Sequence, residues 1–309
     1  MSATPTATQS QLTDNPTISP IDTATQLNEI LTKQKSAFLK RGFTTYEDRI
    51  SALSTLQTAL GEYKQRIIDA VMSDFGHRSP HETSMTEVLA TMGEIATTKK
   101  HLKKWMKHQK APFSLNTATG TGKILYQPKG VVGIMSAWNY PVFLCTGPLV
   151  GVIAAGNHAM IKPSDLSQAA GEVLGEMFEK FFDPEYITIV NGDVTASIEF
   201  SKLPFNHLVY TGGTEVGRMV MVEAAKNLCP VTLEMGGKSP TLISEDYPIE
   251  TAVTRIQTGK CMNAGQTCIA PDYVLLPKNK EQEFVAEYMK QADERYPSIV
   301  DNQDITWII

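Results

Sequence analysis

Short apolar strands alternate with helices between Val131 and Met235, and this alternation most constrains what the chain can fold into. The predicted strands are Val131–Met135, His158–Lys162, Ile187–Val190, His207–Tyr210 and Val231–Met235. The predicted helices are Leu149–Ala155, Ser167–Phe182 and Thr214–Lys226. Such alternation is typical of a parallel sheet with helices on both faces, which binds ligands beyond the carboxyl ends of its strands. We therefore expect an α/β fold built on a doubly wound parallel sheet.

The rest of the chain divides around this sheet. Residues 1–18 are rich in Thr, Ser and Pro and lack apolar periodicity, which predicts a disordered tail. Apolar residues recur at helical spacing in Ile21–Gly42, Thr45–Phe75 and His81–Lys107. The predicted plan is N-terminal helices at 19–111, a β-hairpin arm at 112–127, the sheet domain at 128–235, and a second α/β region at 236–309 with a strand at Tyr273–Leu276.

Composition and charge narrow the function classes. A net charge of −5 argues against a nucleic-acid-binding protein, which needs a basic surface. No stretch approaches the ~20 apolar residues of a membrane helix, and the first residues lack the basic and apolar regions of a signal peptide. The four cysteines are Cys145, Cys229, Cys261 and Cys268. They show no zinc-site spacing and no disulfide framework, so we expect no metal, no membrane and a cytoplasmic protein.

Two turns rich in small residues carry a thiol and a carboxylate. Cys268 lies in Asn-Ala-Gly-Gln-Thr-Cys-Ile-Ala-Pro (263–271), and Glu234 lies in Leu-Glu-Met-Gly-Gly-Lys (233–238). A thiol nucleophile and a general base are the minimum for covalent acyl chemistry. A lone cysteine is more often a buried structural residue, and a glutamate at a strand end is often only a surface group. The two in combination favour Cys268 as nucleophile and Glu234 as base.

Three further positions after predicted strands suit ligand binding. Asn139 follows the first strand, and its side-chain amide is a neutral donor for an oxyanion, with the Cys268 backbone N–H as second donor. Gly212 and Gly213 follow a strand and open a helix, where backbone amides can face a pyrophosphate. Lys162 ends another strand and can reach a ribose. Arg218-Met219 stand where a phosphate-binding loop of the nucleotide-hydrolase type needs Lys-Ser/Thr.

Four segments together resemble the aldehyde dehydrogenase superfamily. They are the Cys268 and Glu234 segments, Met-Ser-Ala-Trp-Asn-Tyr-Pro (135–141) and Tyr-Thr-Gly-Gly-Thr-Glu-Val-Gly (210–217). The resemblance runs from about residue 25 to the last residue. Cys-Ile-Ala-Pro-Asp-Tyr-Val-Leu (268–275) and Asp-Phe-Gly-His-Arg-Ser (74–79) are most similar to the class 3 and coniferyl-aldehyde branch.

This resemblance implies an NAD- or NADP-dependent oxidation of a small aldehyde to a carboxylic acid, through a cysteine thiohemiacetal and thioester. It implies that 128–235 is the dinucleotide-binding domain, that 236–309 is an incomplete catalytic domain, and that the 112–127 arm joins subunits into a homodimer or homotetramer. The family continues well beyond residue 309, so a C-terminally truncated member is expected. The implied cofactor-binding residues are Ser136, Trp138, Lys162, Asp165, Gly192, Gly212, Gly213, Thr214, Val216, Gly217, Met235 and Gly236.

Two residues depart from the family pattern. Gly213 stands where the phosphate turn usually has Ser, which removes a hydroxyl but keeps the backbone donor. Asp165 stands where many NAD-preferring members have Glu, and its shorter carboxylate reaches the ribose less well and repels a 2′-phosphate less strongly. The choice between NAD and NADP is therefore open.

Three other functions compete with this interpretation. A phosphorylating reductase acting on an acyl phosphate uses a related fold and cysteine, but needs no water-activating base such as Glu234. An inactive fragment that only binds nucleotide is the second. A cysteine hydrolase without cofactor is the third, and no histidine lies near Cys268 in the sequence to serve it.

Overall fold

A computed structural model describes residues 20–112, 115, 119–300 and 302–309. The tail expected at 1–18 lies outside these residues. The helices are α1 (Pro20–Arg41), α2 (Tyr46–Phe75), α3 (Pro80–Thr83), α4 (Ala90–Trp105), α5 (Phe143–Ala154), α6 (Gln168–Phe181), α7 (Val194–Ser201), α8 (Thr214–Lys226), α9 (Ile249–Cys261) and α10 (Glu281–Arg295). The strands are β1 (Gln109–Lys110), β2 (Lys123–Ile124), β3 (Val131–Met135), β4 (His158–Lys162), β5 (Ile187–Ile189), β6 (His207–Gly212), β7 (Val231–Met235), β8 (Ser239–Leu242) and β9 (Pro271–Leu275).

The central sheet has five parallel strands in the order β5-β4-β3-β6-β7. The chain builds outward from β3 to β5, then crosses back so that β6 lies on the other side of β3. In sheets of this kind a crevice opens between the two strands where the direction of winding reverses. The predicted doubly wound parallel sheet is confirmed.

Strand β3 shows why helices must cover both faces of the sheet. All its residues are buried. Val132 and Ile134 pack into a core that contains residues of α2, α5 and α6, while Val131 and Met135 pack into a second core with residues of α1, α7 and α8. A continuous apolar strand is stable only with both faces covered, which explains the unbroken run in the sequence.

Helix α5 begins earlier than predicted, at Phe143 rather than Leu149. Gly147 and Pro148 inside the segment look like helix breakers in the sequence. The carboxylate of Glu87 accepts hydrogen bonds from the backbone N–H groups of Val142 and Phe143, at 3.0 and 2.7 Å. It thus satisfies donors that the first helical turn leaves without a helical partner.

The helix predicted at 81–107 is also not uniform. A π-helical segment, Ser84–Leu89, separates α3 from α4. π-helical insertions are short and frequently mark functional sites. Glu87 lies in this segment, so the irregular stretch is the one that supplies the carboxylate to α5.

The second region, 236–309, is smaller and less buried. Strands β8 and β9 pair in parallel, and α9 packs beneath them with a core of Ile243, Val253 and Ile256. No residue of α10 is buried. The region is mixed α/β, as expected, and its sheet has two strands.

The arm predicted at 112–127 contains a short antiparallel hairpin. It pairs Gln109 with Ile124 and Lys110 with Lys123, so it begins before the predicted boundary. Both of its strands have two residues and are exposed. Within the described ranges, no helix is long and apolar enough to cross a membrane.

Candidate active site

A cavity of about 750 Å³ lies over the carboxyl ends of β3, β4 and β6. This is the edge at which the strand order reverses. The predicted cofactor-binding residues that line it are Ser136, Trp138, Lys162, Asp165, Gly212, Gly213 and Val216. The strand ends therefore bring residues from three separate sequence segments to one cleft.

The other predicted cofactor residues lie outside this lining. Gly192 precedes α7 with a φ of +155°, and a side chain there would meet the Cβ of Ala196 at 2.6 Å. Thr214 and Gly217 lie in the first turn of α8, behind the lining glycines. Met235 and Gly236 lie at and just after the end of β7.

Helix α7 contributes a wall that the sequence analysis missed. Val194, Ser197 and Ile198 line the cavity, together with Pro163 and Leu166 from the β4 turn. The available signal was Asp193, which follows the predicted strand at 187–190. Its side chain accepts a hydrogen bond from the Ala196 N–H and caps α7. An Asp after a strand is a typical helix start.

The β6–α8 turn suits a phosphate group. The Tyr210 hydroxyl donates to the Gly213 carbonyl at 3.0 Å, and a Cβ on Gly212 would lie 2.3 Å from the Tyr210 oxygen. Position 212 therefore requires glycine. Gly213 caps α8 through its backbone alone, and the space beside it is open. The positive end of α8 thus faces the cavity with accessible backbone donors, which fits an anionic ligand.

Lys162 is buried at the end of β4, where only 2% of it is exposed. Its ammonium donates to the Pro163 carbonyl at 2.7 Å. Burial lowers the pKa of Lys162, and the nearby Asp165 carboxylate raises it and so opposes the effect of burial. A cation held at the cavity wall beside one carboxylate can interact with ribose hydroxyls or with a phosphate.

The four cysteines differ in accessibility. Cys145 is fully buried, with its sulfur 3.1 Å from the Ser136 hydroxyl. Burial raises the pKa of Cys145 to about 12, so this thiol stays protonated and is a poor nucleophile. Cys229 is also buried, whereas Cys261 is partly exposed and Cys268 is exposed.

The loop before Cys268 has an unusual backbone. Asn263, Ala264 and Gly265 have φ values of 52°, 53° and 77°. Asparagine tolerates this left-handed region, whereas for Ala264 it costs about 1–2 kcal/mol. The Asn263 N–H donates to the Glu82 carboxylate, and its side-chain amide donates to the carbonyls of Asn139 and Gln266, at 2.9 and 3.1 Å. The loop is therefore held from outside by the Glu82 carboxylate and the Asn139 carbonyl.

Asn139 and Tyr140 connect the end of β3 directly to this loop. The Asn139 side-chain amide donates to the Gln266 carbonyl at 2.9 Å. The Tyr140 hydroxyl and the Thr267 hydroxyl are 2.6 Å apart and hydrogen-bonded. The segment that carries the candidate oxyanion donor is therefore fixed against the residues that immediately precede Cys268.

Glu234 reaches the same area from β7. It is exposed on the carboxyl-terminal half of that strand, paired in register with Thr211 of β6. The chain then continues through Gly237, where a Cβ would lie 4.0 Å from the Cys268 carbonyl oxygen. Pairing of Ser239 with Pro271 holds the two segments together. The carboxylate and thiol segments predicted from sequence are thus neighbours.

The described residues show no metal centre. Among them, no three His, Cys, Asp or Glu side chains are arranged to hold a metal ion. The segments that come together here carry a thiol, a carboxylate and an amide, and the Asn139 segment continues from the cavity-lining Trp138. This set can support covalent chemistry on a carbonyl carbon next to a nucleotide.

Comparison with known sequences identifies a family. A family model for the aldehyde dehydrogenase family matches residues 7–303. A probable coniferyl aldehyde dehydrogenase of Pseudomonas aeruginosa is 42% identical over 284 residues, covering 92% of this chain and 60% of the relative. Its counterpart in Caulobacter vibrioides is 43% identical, with 92% of this chain and 59% of the relative covered. The chain thus spans about 60% of the length of these curated relatives.

Comparison with solved structures points to the same family. The substrate-bound state of Staphylococcus aureus AldH superposes with a TM-score of 0.86 at 33% identity, covering 90% of this chain and 60% of that one. A Mycobacterium tuberculosis aldehyde dehydrogenase complexed with NAD+ gives a TM-score of 0.79 at 25% identity, covering 86% of this chain and 55% of that one.

Proposed function

The chain belongs to the aldehyde dehydrogenase family, and from this membership and the site geometry we propose that the whole protein oxidises an aldehyde to a carboxylic acid with NAD or NADP. The observation that carries the proposal is the contact between Asn139 and the Cys268 loop. The Asn139 amide donates to Gln266, and Tyr140 is bonded to Thr267. These contacts support the proposal because they hold the candidate oxyanion donor against the loop that carries the candidate nucleophile.

The first step is attack of the Cys268 thiolate on the aldehyde carbon, which forms a C–S bond and places negative charge on the carbonyl oxygen. Cys268 is the exposed thiol among the four cysteines. One N–H of the Asn139 amide is used to hold Gln266, and the other is available to the oxyanion together with the Cys268 backbone N–H. Loss of one such donor typically costs about 10²–10³ in rate.

The second half of the reaction needs a base. A bound NAD or NADP in its oxidised form would supply the acceptor for the hydride that leaves the tetrahedral carbon, so that a thioester on Cys268 remains. Glu234 then removes a proton from a water molecule, the water oxygen attacks the thioester carbon, and the thiolate leaves. Glu234 is exposed on β7 beside the Cys268 segment, so water can reach it.

The residues that would hold the cofactor belong to the cavity. Gly212 and Gly213 at the start of α8 would bind the pyrophosphate, and Lys162 and Asp165 at the end of β4 would meet the adenosine ribose. The Mycobacterium tuberculosis neighbour, which was solved with NAD+, supports this class of cofactor. The presence of a cation and a short carboxylate on one wall is compatible with either NAD or NADP.

The names of the relatives support a class of substrate. The bacterial relatives named as coniferyl aldehyde dehydrogenases favour an aromatic aldehyde. We further propose a homodimer or homotetramer joined through the hairpin of β1 and β2, and a cytoplasmic location. No nucleic-acid partner is proposed, because the net charge is −5.

The test is NAD(P)H formation, followed at 340 nm, with an aromatic aldehyde and a protein of the relatives' full length. Cys268→Ala should abolish the absorbance change while nucleotide still binds, because the thiol makes the covalent bond to substrate. Cys261→Ala, the matched control at the partly exposed cysteine, should keep activity. Turnover in Cys268→Ala near the wild-type rate would contradict the nucleophile assignment.

A further inference from the structure

A buried ion pair lies behind the oxyanion segment, and the proposed chemistry assigns it no role. Arg78 and Glu87 form a 2.9 Å salt bridge, and both side chains are completely buried. Removing two charges from water is costly, and well-packed apolar residues of similar volume are often at least as stable. Among the described residues, the Arg78 Nε also has no hydrogen-bond partner. Stability alone is therefore a weak reason for this pair.

Glu87 divides its two oxygens between the pair and the main chain. Oε1 accepts from Arg78, while Oε2 accepts from the Val142 and Phe143 N–H groups. Those groups start α5 and come directly after the Trp138–Pro141 segment. Glu87 therefore fixes the end of the oxyanion segment that enters the helix.

Arg78 holds the other part of the same segment. Its Nη1 donates to the Asn139 carbonyl at 3.4 Å, and its Nη2 donates to the Thr86 hydroxyl at 3.1 Å. The guanidinium lies between two rings, 4.9 Å from the centroid of Phe75 and 5.1 Å from that of Tyr140. A planar guanidinium can stack and donate in several fixed directions, which an ammonium cannot do.

The segment clamped in this way is the one bonded to the nucleophile loop. Asn139 donates to Gln266 and Tyr140 is bonded to Thr267, next to Cys268. We propose that the Arg78–Glu87 pair is a positioning device that sets the Asn139 amide against Cys268. This proposal rests on the proposed function, since it assigns the pair a part in that reaction. Arg78 and Glu87 act through Asn139 and do not touch substrate.

The main test is Arg78→Lys in the full-length enzyme, with Arg66→Lys as matched control. Arg66 lies on α2, the helix that ends just before Arg78, and forms an exposed salt bridge with Glu176. In Arg78→Lys we expect the single-turnover rate of NAD(P)H formation to fall by about tenfold to a hundredfold, because small displacements of reacting groups are costly. The nucleotide Kd should stay within about twofold, because Arg78 does not line the cavity. Arg66→Lys should alter neither.

A second variant separates the effect on the position of Asn139 from the effect on folding stability. Arg78→Met combined with Glu87→Gln removes both buried charges while the glutamine oxygen can still accept from the N–H groups that start α5. Its melting temperature should fall by less than that of Arg78→Met alone, which leaves the Glu87 charge buried without its partner. Its single-turnover rate should nevertheless stay low. A wild-type rate in either variant overturns the proposal, as does failure of both to fold, because the pair would then serve only the fold.

Amide hydrogen exchange tests the positioning without any activity. In Arg78→Lys we expect exchange at the 142 and 143 amides and at the Gln266 amide, which donates to the Asn263 carbonyl, to accelerate by about tenfold or more, because Asn263 and Gln266 are both bonded to Asn139. Unchanged exchange at Gln266 would refute the link even if the enzyme is active. An inactive wild type would instead refute the proposed function and leave the exchange result to decide this inference.

Discussion

Glu234 is exposed on β7 beside the Cys268 segment, and its proposed role is confined to the second half of the reaction. Glu234→Gln keeps the shape of the side chain but cannot accept a proton. We expect a rapid burst of NAD(P)H in stopped-flow absorbance, followed by slow turnover as the thioester accumulates. Loss of the burst itself would show that Glu234 acts mainly on the thiol and not on water.

Asp165 is the carboxylate that faces the buried Lys162 at the end of β4. Asp165→Ala should shift preference from NAD toward NADP by about tenfold, because one screened repulsion of the 2′-phosphate is removed. The ratio of kcat/KM for the two cofactors measures this. Asp69→Ala, an exposed aspartate on α2, is the control. An unchanged ratio would mean that Asp165 does not face the ribose.

Asp165→Ala should also change how nucleotide affinity depends on pH. Burial already lowers the pKa of Lys162, and Asp165 opposes that effect. Lysine loses its charge as pH rises through its pKa, so any part of nucleotide affinity that depends on this charge is present below the pKa and lost above it. In Asp165→Ala the alkaline loss of nucleotide affinity should therefore begin at lower pH than in the wild type, as measured by Kd against pH.

At the scale of single elements, helix α8 begins with a glycine cap that lacks a side-chain hydrogen bond. Gly213 has φ −70° and ψ 147°, which any residue adopts, and a Cβ there meets nothing within 4 Å. Gly213→Ser should stabilise α8 by about 0.3 kcal/mol, since serine is the better cap by a few tenths. A hydroxyl that donates to phosphate should also tighten the nucleotide Kd by about fivefold, or about 1 kcal/mol.

Thermal melting and nucleotide titration check this change. Gly213→Ala is the matched control, because it adds the Cβ without the hydroxyl and should gain no affinity. Equal nucleotide affinity in the serine and alanine variants would show that position 213 does not face the phosphate.

Three strands of the sheet were predictable from sequence to their ends, and helix α5 was not. β3, β4 and β7 occupy the predicted ranges. β3 and β4 are buried along their whole length, and strands covered on both faces read as near-continuous apolar runs. The start of α5 depends on Glu87, which is 55 residues away from Val142 in sequence. A local pattern contains no information about such a distant capping group.

The candidate site likewise contains some residues that are visible in the sequence and some contacts that exist only after folding. Glu234 and the glycines at 212 and 213 were found because small-residue turns at strand ends are visible in the sequence. Cys268 was found from its own segment, Asn-Ala-Gly-Gln-Thr-Cys (263–268). Arg78 was noticed only as part of a family-like run, since its pairing with Glu87 and its contact with Asn139 exist only after folding. The assignments of role at all these positions stay predictions until the variants are measured.

At the scale of the whole molecule, the two regions differ in how much apolar surface they bury. The sheet domain has helices on both faces and two large cores. The region from 236 to 309 leaves Leu242, Ile269 and Ile308 each 79% exposed. Its two-stranded sheet presents strand edges, which are sites of aggregation when uncovered.

The curated relatives contain further chain that this sequence does not span, since it covers about 60% of their length. We expect residues 1–309 expressed alone to aggregate or to show trace activity, because an incompletely covered second region leaves Cys268 loosely placed. A protein of the relatives' length should instead be an active dimer or tetramer. Size-exclusion chromatography with light scattering, together with NAD(P)H assays on both proteins, measures this. A monodisperse and fully active 1–309 would show that the described residues suffice for the site, and that the exposed apolar side chains at 242, 269 and 308 need no cover.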